Sequence, residues 1–217
     1  MQISVVYLII GFLVAITVHE ASHAWMADRL GDPTARAMGR LTLNPLAHLD
    51  IYGTVLVPLF LIFVLHSPIV VGWAKPVEYD PYNLANPKRD AALISLAGPA
   101  SNLIIAAISS IFLRITLVPF SSIVALSGLF IALIFINAGL AIFNLIPIHP
   151  LDGGKILIGL LPKKEAYEAD IFLKRYGLII LLFLLFPIFG GNSIISGIIY
   201  PIISVVVRLF IPGNPVI

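Results

Sequence analysis

The sequence contains no cysteine and has few charged residues. None of its 217 residues is Cys, and Asp, Glu, Lys and Arg together make up only 11%. The first absence excludes disulfides, thiolate metal ligands and a cysteine nucleophile. Hydrophobic residues make up 59% of the chain, against roughly 45–50% in soluble domains. Together with the low content of charged residues, this predicts an integral membrane protein in contact with the lipid bilayer. A net charge of only +2 gives no indication of a nucleic-acid partner.

The N-terminal apolar run has no basic residue before Arg29 and is longer than the apolar region of a secretory signal, so we interpret it as a retained first span over 3–26. A span needs about 20 mostly apolar residues. Four further segments fit, and they are 91–113, 122–147, 176–189 with its flanks, and 193–211. The predicted fold class is an all-α polytopic membrane protein with five to six transmembrane helices.

The segment 52–72 is apolar but unlike the others. Its two apolar runs meet at "HSP", which favours a re-entrant segment with the character of a β-hairpin over a straight helix. If this segment returns to the side it left, every Lys and Arg except Arg114 lies on one side. The positive-inside rule then places that side in the cytoplasm and the N-terminus outside. A complete crossing would divide the basic residues between both faces, so charge favours the re-entrant topology.

The first predicted span ends in "HEASH", residues 19 to 23. His19 and His23 are four residues apart, so their imidazoles share one helical face and can reach one metal ion. Glu20 lies beside this pair, in the pattern H-E-x-x-H that zinc metalloproteases use with the glutamate as general base. The alternative is a polar patch satisfied by neighbouring helices. Ionisable residues inside a membrane span are costly and usually functional, which favours the metal site.

A catalytic zinc usually takes three protein ligands and one water, so a third ligand must come from elsewhere. The best candidate is Asp152, in "FNLIPIHPLDGG" at the end of the span 122–147. With a re-entrant 52–72, Asp152 reaches the same side of the membrane as the two histidines, whereas a complete crossing would separate them. The alternative is a loop aspartate that caps a short helix over 153–161, and both roles can coexist.

These motifs resemble those of the site-2 protease family of intramembrane zinc metalloproteases, in its compact prokaryotic branch. The resemblance rests on "HEASH", "GPASN", "NLIPIHPLDGG" and "LGDPTARAMGRLTLNPLAHLDIYGT" followed by "GWAKPV", and it covers about residues 11 to 160. It implies cleavage of a peptide bond in or near a transmembrane segment of a membrane-anchored substrate. It also implies that His19, His23 and Asp152 bind one zinc ion and that Glu20 is the catalytic glutamate.

The resemblance further implies a multi-pass protein of the prokaryotic inner membrane, and the distribution of basic residues predicts that its active site lies toward the cytoplasm. We expect one protease domain over 1–217, with a catalytic core at about 3–160, C-terminal helices at about 171–211, and neither a PDZ nor a CBS domain. Asn102 and Asn144 are amides at membrane depth that can donate a hydrogen bond to an oxyanion or a substrate. Interhelical hydrogen bonding is the alternative role for both.

Two other classes of function remain open from the residues alone. A metal-binding transporter or channel would also use buried His and Asp residues in broken helices. It would not need Glu20 as a base, so loss of that carboxylate separates the two functions. An inactive membrane scaffold gives no reason for a complete ligand set. The sequence does not identify the substrate or the oligomeric state.

Overall fold

The protein is helical, and its computed structural model describes residues 4–57, 60, 72–118, 124–186 and 193–211. No β-strand occurs within these ranges, so the all-α class is confirmed there. The α-helices of this part are numbered in chain order: α1 Val5–Arg29, α2 Thr34–Ala37, α3 Pro87–Thr116, α4 Ser127–Asn144, α5 Asp152–Leu160, α6 Lys163–Leu185 and α7 Ile194–Phe210.

Three helical segments are long and apolar enough to cross a membrane: Val5–Arg29, Pro87–Thr116 and Val124–Asn144. They match the predicted spans 3–26, 91–113 and 122–147. The predicted span 176–189 begins inside α6, which starts earlier, at the charged Lys163. The short apolar helix Gly197–Phe210 falls within the predicted segment 193–211. Three of the predicted crossings therefore correspond to helices of full spanning length.

Small residues form the contacts between α1, α3 and α4, the three helices that pack against one another. Among the buried positions are Ala15, Ala24, Ala106, Ala132 and Ala138, each fully enclosed. Small side chains let membrane helices approach closely, and close packing replaces the hydrophobic driving force that lipid does not provide. Large apolar side chains of α1 near its start point outward instead, as a lipid-facing surface requires.

The segment 52–72 is described only at residues 52–57, 60 and 72, because residues 58, 59 and 61–71 lie outside the described part of the chain. Ile51–Leu56 forms a turn of π-helix, whose start is capped by Asp50 Oδ1 accepting from the Gly53 N–H at 2.6 Å. The prediction of a β-hairpin is therefore wrong for the first residues of this segment, which form a capped helical turn instead of a strand. Trp73 N donates to Gly53 O at 3.1 Å, so the two ends of the segment lie side by side.

Asp32 connects the loop after α1 to the segment that leads into α3. Its carboxylate is fully buried and accepts hydrogen bonds from Thr34, from the Asp80 N–H at 2.8 Å and from Asn83 Nδ2 at 2.8 Å. Burial alone would raise the pKa of this carboxyl, but the donors outweigh it and hold the pKa below its ordinary value. Residues 30–34 and 80–83 are therefore held together on one side of the helical core.

Candidate metal centre

The C-terminal half of α1 carries both histidines and the glutamate of "HEASH" on buried positions. His19 and His23 stack one helical turn apart, with their rings edge to face and 4.6 Å between ring centroids. Their exposed fractions are 5% and 7%, and that of Glu20 is 9%. As predicted from the spacing, the two imidazoles point to one place.

Asp152 is the first residue of α5, after the turn that ends α4. The chain folds back so tightly here that a Cβ at Gly153 would lie 2.2 Å from the Ile146 carbonyl oxygen. Only glycine fits such a close approach of the backbone. The helix N-terminus also favours a carboxylate in its first turn. Asp152 is thus fixed against the face of α1, and the predicted short helix over 153–161 is confirmed as Asp152–Leu160.

Three ligand atoms meet between α1 and α5. Asp152 Oδ2 lies 3.1 Å from His19 Nε2 and 3.4 Å from His23 Nε2. One ligand atom from each of these residues lies within 4.8 Å of the other two. Asp152 Oδ2 is buried and accepts no hydrogen bond. A buried carboxylate oxygen without a donor is costly, so the arrangement calls for a positive partner among these three atoms.

Hydrogen bonds on the far side of each imidazole fix its tautomer. His23 Nδ1 lies 2.7 Å from the carbonyl oxygen of Ile94, which can only accept, so Nδ1 carries the proton. Asn102 Nδ2 donates to the Ala15 carbonyl at 3.0 Å, which turns Asn102 Oδ1 toward His19 Nδ1, at 2.6 Å. His19 must then donate from Nδ1 as well. In neutral imidazoles this leaves the electron pairs of both Nε2 atoms directed at Asp152.

This donor set fits a zinc ion. Two neutral imidazole nitrogens and one carboxylate oxygen are typical ligands of a catalytic zinc, and hydrogen bonds from the opposite ring nitrogens usually orient such histidines. Burial raises the pKa of the Asp152 carboxyl, but the positive charge and hydrogen bonds of protonated His23 and His19 outweigh burial and hold the pKa below its usual range. A zinc ion would supply that positive charge in their place when both imidazoles are neutral. Asp152 is therefore ionised at neutral pH, as a metal ligand must be.

Gly98 of α3 forms the wall opposite the two imidazoles. A Cβ at this position would lie 2.5 Å from His23 Nε2 and 2.6 Å from His19 Cε1. Gly98 is the first residue of "GPASN", and no pattern in the sequence indicates a role for it. Position 98 requires glycine because any side chain there would collide with the two candidate ligand imidazoles.

The Glu20 carboxylate is held in place by a backbone N–H of the segment that follows 52–72. The Val77 backbone N–H donates to Glu20 Oε2 at 3.2 Å, and Glu20 is not one of the three converging ligand residues. Glu20 interacts electrostatically with His23 but does not join the converging ligand atoms. No sequence pattern indicates the contact with Val77 or the role of the Ile94 carbonyl, because any residue offers these backbone groups.

The side chains of Asn102 and Asn144, both predicted as possible oxyanion or substrate contacts, have different hydrogen-bond partners. Asn102 is fully buried, and its Nδ2 also donates to Asn137 Oδ1 at 2.8 Å, so both ends of its side chain are engaged. Asn137 is oriented in turn by donating to the Leu133 carbonyl. Asn144 donates at 3.0 Å to the Leu140 carbonyl of its own helix. The structure therefore brings Asn102, but not Asn144, into hydrogen-bond contact with a candidate ligand.

An H-E-x-x-H helix with a third ligand from another helix, all within an apolar helical bundle, defines a membrane metalloprotease centre. The chain belongs to peptidase family M50, the site-2 protease family, whose model matches residues 7–126 and 114–185. No PDZ or CBS model matches it. This membership makes the protein a zinc metalloprotease.

Curated relatives carry names that agree with this family. The chain is 36% identical over 207 residues to "Putative zinc metalloprotease YwhC" of Bacillus subtilis strain 168, covering 88% of this chain and 90% of the relative. It is 30% identical over 181 residues to "Putative zinc metalloprotease Rip2" of Mycolicibacterium smegmatis, covering 83% and 66%. Against the Rip2 protein of Mycobacterium tuberculosis strain H37Rv the identity is 30%, covering 86% and 69%. No solved structure matches the chain.

Proposed function

We propose that this protein is an intramembrane zinc endopeptidase that hydrolyses peptide bonds in or near transmembrane segments of membrane-anchored proteins, as in regulated intramembrane proteolysis. The observation that carries the proposal is the meeting of His19 Nε2, His23 Nε2 and Asp152 Oδ2 inside a bundle of apolar helices. A site at this depth is reached by a peptide bond of a membrane substrate more directly than by a soluble protein.

The residues of the site have two different roles in the proposed reaction, metal binding and proton transfer. His19, His23 and Asp152 would hold the zinc ion, which when bound supplies Lewis-acid polarisation of the scissile carbonyl and a more acidic water. Glu20 accepts the proton of the attacking water and delivers it to the leaving amine, as a general base and then a general acid. The Val77 N–H keeps the Glu20 carboxylate in place for both transfers. The buried site limits the access of bulk water to these groups.

We assign Asn102 to positioning rather than to the oxyanion. Both polar ends of its side chain are engaged, by His19 on one side and by Ala15 and Asn137 on the other. Asn102 therefore sets the tautomer and orientation of His19. Asn144 stays a candidate for a substrate or oxyanion contact, because its hydrogen bond to Leu140 is local and lies near the surface of the bundle.

Zinc content tests the ligand set directly. Purified full-length protein is expected to hold about one zinc ion per chain, and His23→Ala and Asp152→Ala to lose it, because a site with two ligands left binds far more weakly. Asn102→Ala should keep zinc at saturation but bind it about 10–100-fold more weakly, as removal of an orienting partner usually does. Elemental analysis and chelator competition measure both quantities.

His149→Ala is the matched control for these variants, since His149 lies three residues before Asp152 but outside the converging ligand set. Its zinc content should equal that of the parent protein. Intact protein that stays free of zinc after purification with added metal would refute the proposed centre. Equal zinc affinity in Asn102→Ala would remove the positioning role alone.

We propose that 52–72 is re-entrant, which favours five complete crossings over six and places the active site toward the cytoplasm of a prokaryotic inner membrane. Two contacts support this topology: the Trp73–Gly53 backbone hydrogen bond, and the Asp32–Asp80 hydrogen bond between the loops on either side of the segment. A complete crossing would place those loops on opposite faces of the membrane.

The absence of native cysteine allows a clean test of this topology. Single cysteines replacing Leu46 and Tyr82, both strongly exposed and on opposite sides of 52–72 in the sequence, should react with an impermeant thiol reagent only from the cytoplasmic face. A cysteine replacing Val118, beyond α3, should react only from the outer face. Labelling of the Leu46 and Tyr82 variants from opposite faces would establish a complete crossing.

A further inference from the structure

A second group of ionisable side chains, separate from the metal centre, lines a cavity of about 140 Å³ between α3, α5 and α6. Lys88 lies in the first turn of α3, Lys155 in the first turn of α5, and Lys174 on α6. Tyr79, His149 and Asp170 complete its polar wall. The proposed proteolytic chemistry uses none of these side chains.

The cavity is positively charged. Three lysines face a single carboxylate, that of Asp170, which pairs with Lys174 at 2.7 Å. Lys155 Nζ lies over the Tyr79 ring, 4.8 Å from its centroid, without an acidic partner in the described structure. Burial, together with the charges of Lys155 and Lys174, lowers the pKa of His149 and keeps that imidazole neutral at pH 7. The lysines therefore set the potential in the cavity, and it favours an anion.

The position of the cavity indicates which anion. Lys88 stands at the start of a helix long and apolar enough to span a membrane, and Lys174 precedes the apolar end of α6. A bilayer around these apolar segments would bring its phosphates close to both ammonium groups. Ile158 and Leu173 give the cavity an apolar wall. Outside it, Leu160, Ile171 and Phe172 expose large apolar surfaces. Basic pockets between membrane helices on the cytoplasmic side are typical binding sites for acidic lipid headgroups.

We propose that this cavity binds the phosphate group of an anionic phospholipid, with Lys155 and Lys174 as its principal charged contacts. The lipid phosphate lies between α5 and α6, and its acyl chains run along the exposed apolar side chains of these helices. The lipid site itself does not depend on the proposed proteolysis.

Native mass spectrometry of the full-length protein in detergent tests this site by titration with phosphatidylglycerol and with phosphatidylcholine of the same chain length. Phosphatidylglycerol should bind at least about tenfold more tightly. Lys155→Gln and Lys174→Gln should each weaken its binding about fivefold, as expected for one lysine at a membrane surface. Asp170→Asn should act in the opposite direction and strengthen binding by a similar factor, because Asp170 is the only acidic residue among the described residues that line the cavity.

Lys164→Gln is the matched control, since Lys164 lies on α6, is exposed and does not line the cavity. Its phosphatidylglycerol binding should equal that of the parent protein, and zinc content should be unchanged in every variant. Equal binding of the two lipids, or lysine variants and Asp170→Asn that all leave binding unchanged, would overturn the proposal. Displacement of phosphatidylglycerol by millimolar inorganic phosphate would assign the cavity to a soluble phosphate and also overturn the lipid site.

Discussion

Glu20→Gln is expected to reduce peptide-bond cleavage by about 10²–10⁴-fold while leaving bound zinc at the level of the parent protein. The amide has the size of the carboxylate and can still accept the hydrogen bond from the Val77 N–H, so the side chain keeps its place. It cannot take the proton of the attacking water. His19, His23 and Asp152 are untouched, so the metal centre persists. Cleavage of a single-pass model substrate in proteoliposomes, followed by the appearance of new termini, measures the effect.

The same variant separates a protease from a metal transporter or channel. A transport site has no use for a general base, so zinc uptake into vesicles that survives Glu20→Gln would favour transport. Cleavage that persists at the parent rate in this variant would remove Glu20 from the proposed mechanism. Zinc content measured on the same preparation shows whether a loss of cleavage comes from the base or from the metal.

Gly98→Ala is expected to weaken zinc binding by at least about tenfold and to abolish cleavage, although alanine is the better helix former. The added methyl would lie 2.5 Å from His23 Nε2 and 2.6 Å from His19 Cε1. The helix cannot easily retreat, because Asn102 one turn later is hydrogen-bonded to the Ala15 carbonyl of α1. The imidazoles must therefore turn away from Asp152. Chelator competition measures the zinc affinity, and circular dichroism confirms that the helices remain.

Gly139→Ala is the matched control for Gly98→Ala. It also replaces a glycine inside a membrane helix, but among the described residues its new methyl would meet only Ile203 Cδ1, at an ordinary contact distance of 3.9 Å. Helix propensity alone favours both alanines by up to about 1 kcal/mol. Zinc affinity should therefore be normal in Gly139→Ala. Normal zinc affinity and cleavage in Gly98→Ala would show that α3 can shift, and that the close approach is not required for the centre.

The sequence motifs did not predict which groups the side chains of Asn102 and Asn144 contact. Asn102 and Asn144 were both predicted as amides that could contact an oxyanion or a substrate. The structure places Asn102 behind His19, with both polar ends engaged, and leaves Asn144 bonded within its own helix. A motif indicates that an amide is needed at a position. Which acceptors its two ends meet depends on the packing of helices distant in the sequence.

The sequence by itself determined the membrane setting and the shared helical face of His19 and His23, and it predicted Asp152 as the best candidate for a third ligand. These follow from composition, from the helical repeat and from the number of ligands a catalytic zinc needs. Only the tertiary structure decided that Gly98 borders the imidazoles, that Ile94 fixes the tautomer of His23 and that Val77 holds Glu20. Backbone groups are the same in every residue and a missing side chain has no chemistry of its own, so their roles arise only from which helices pack together.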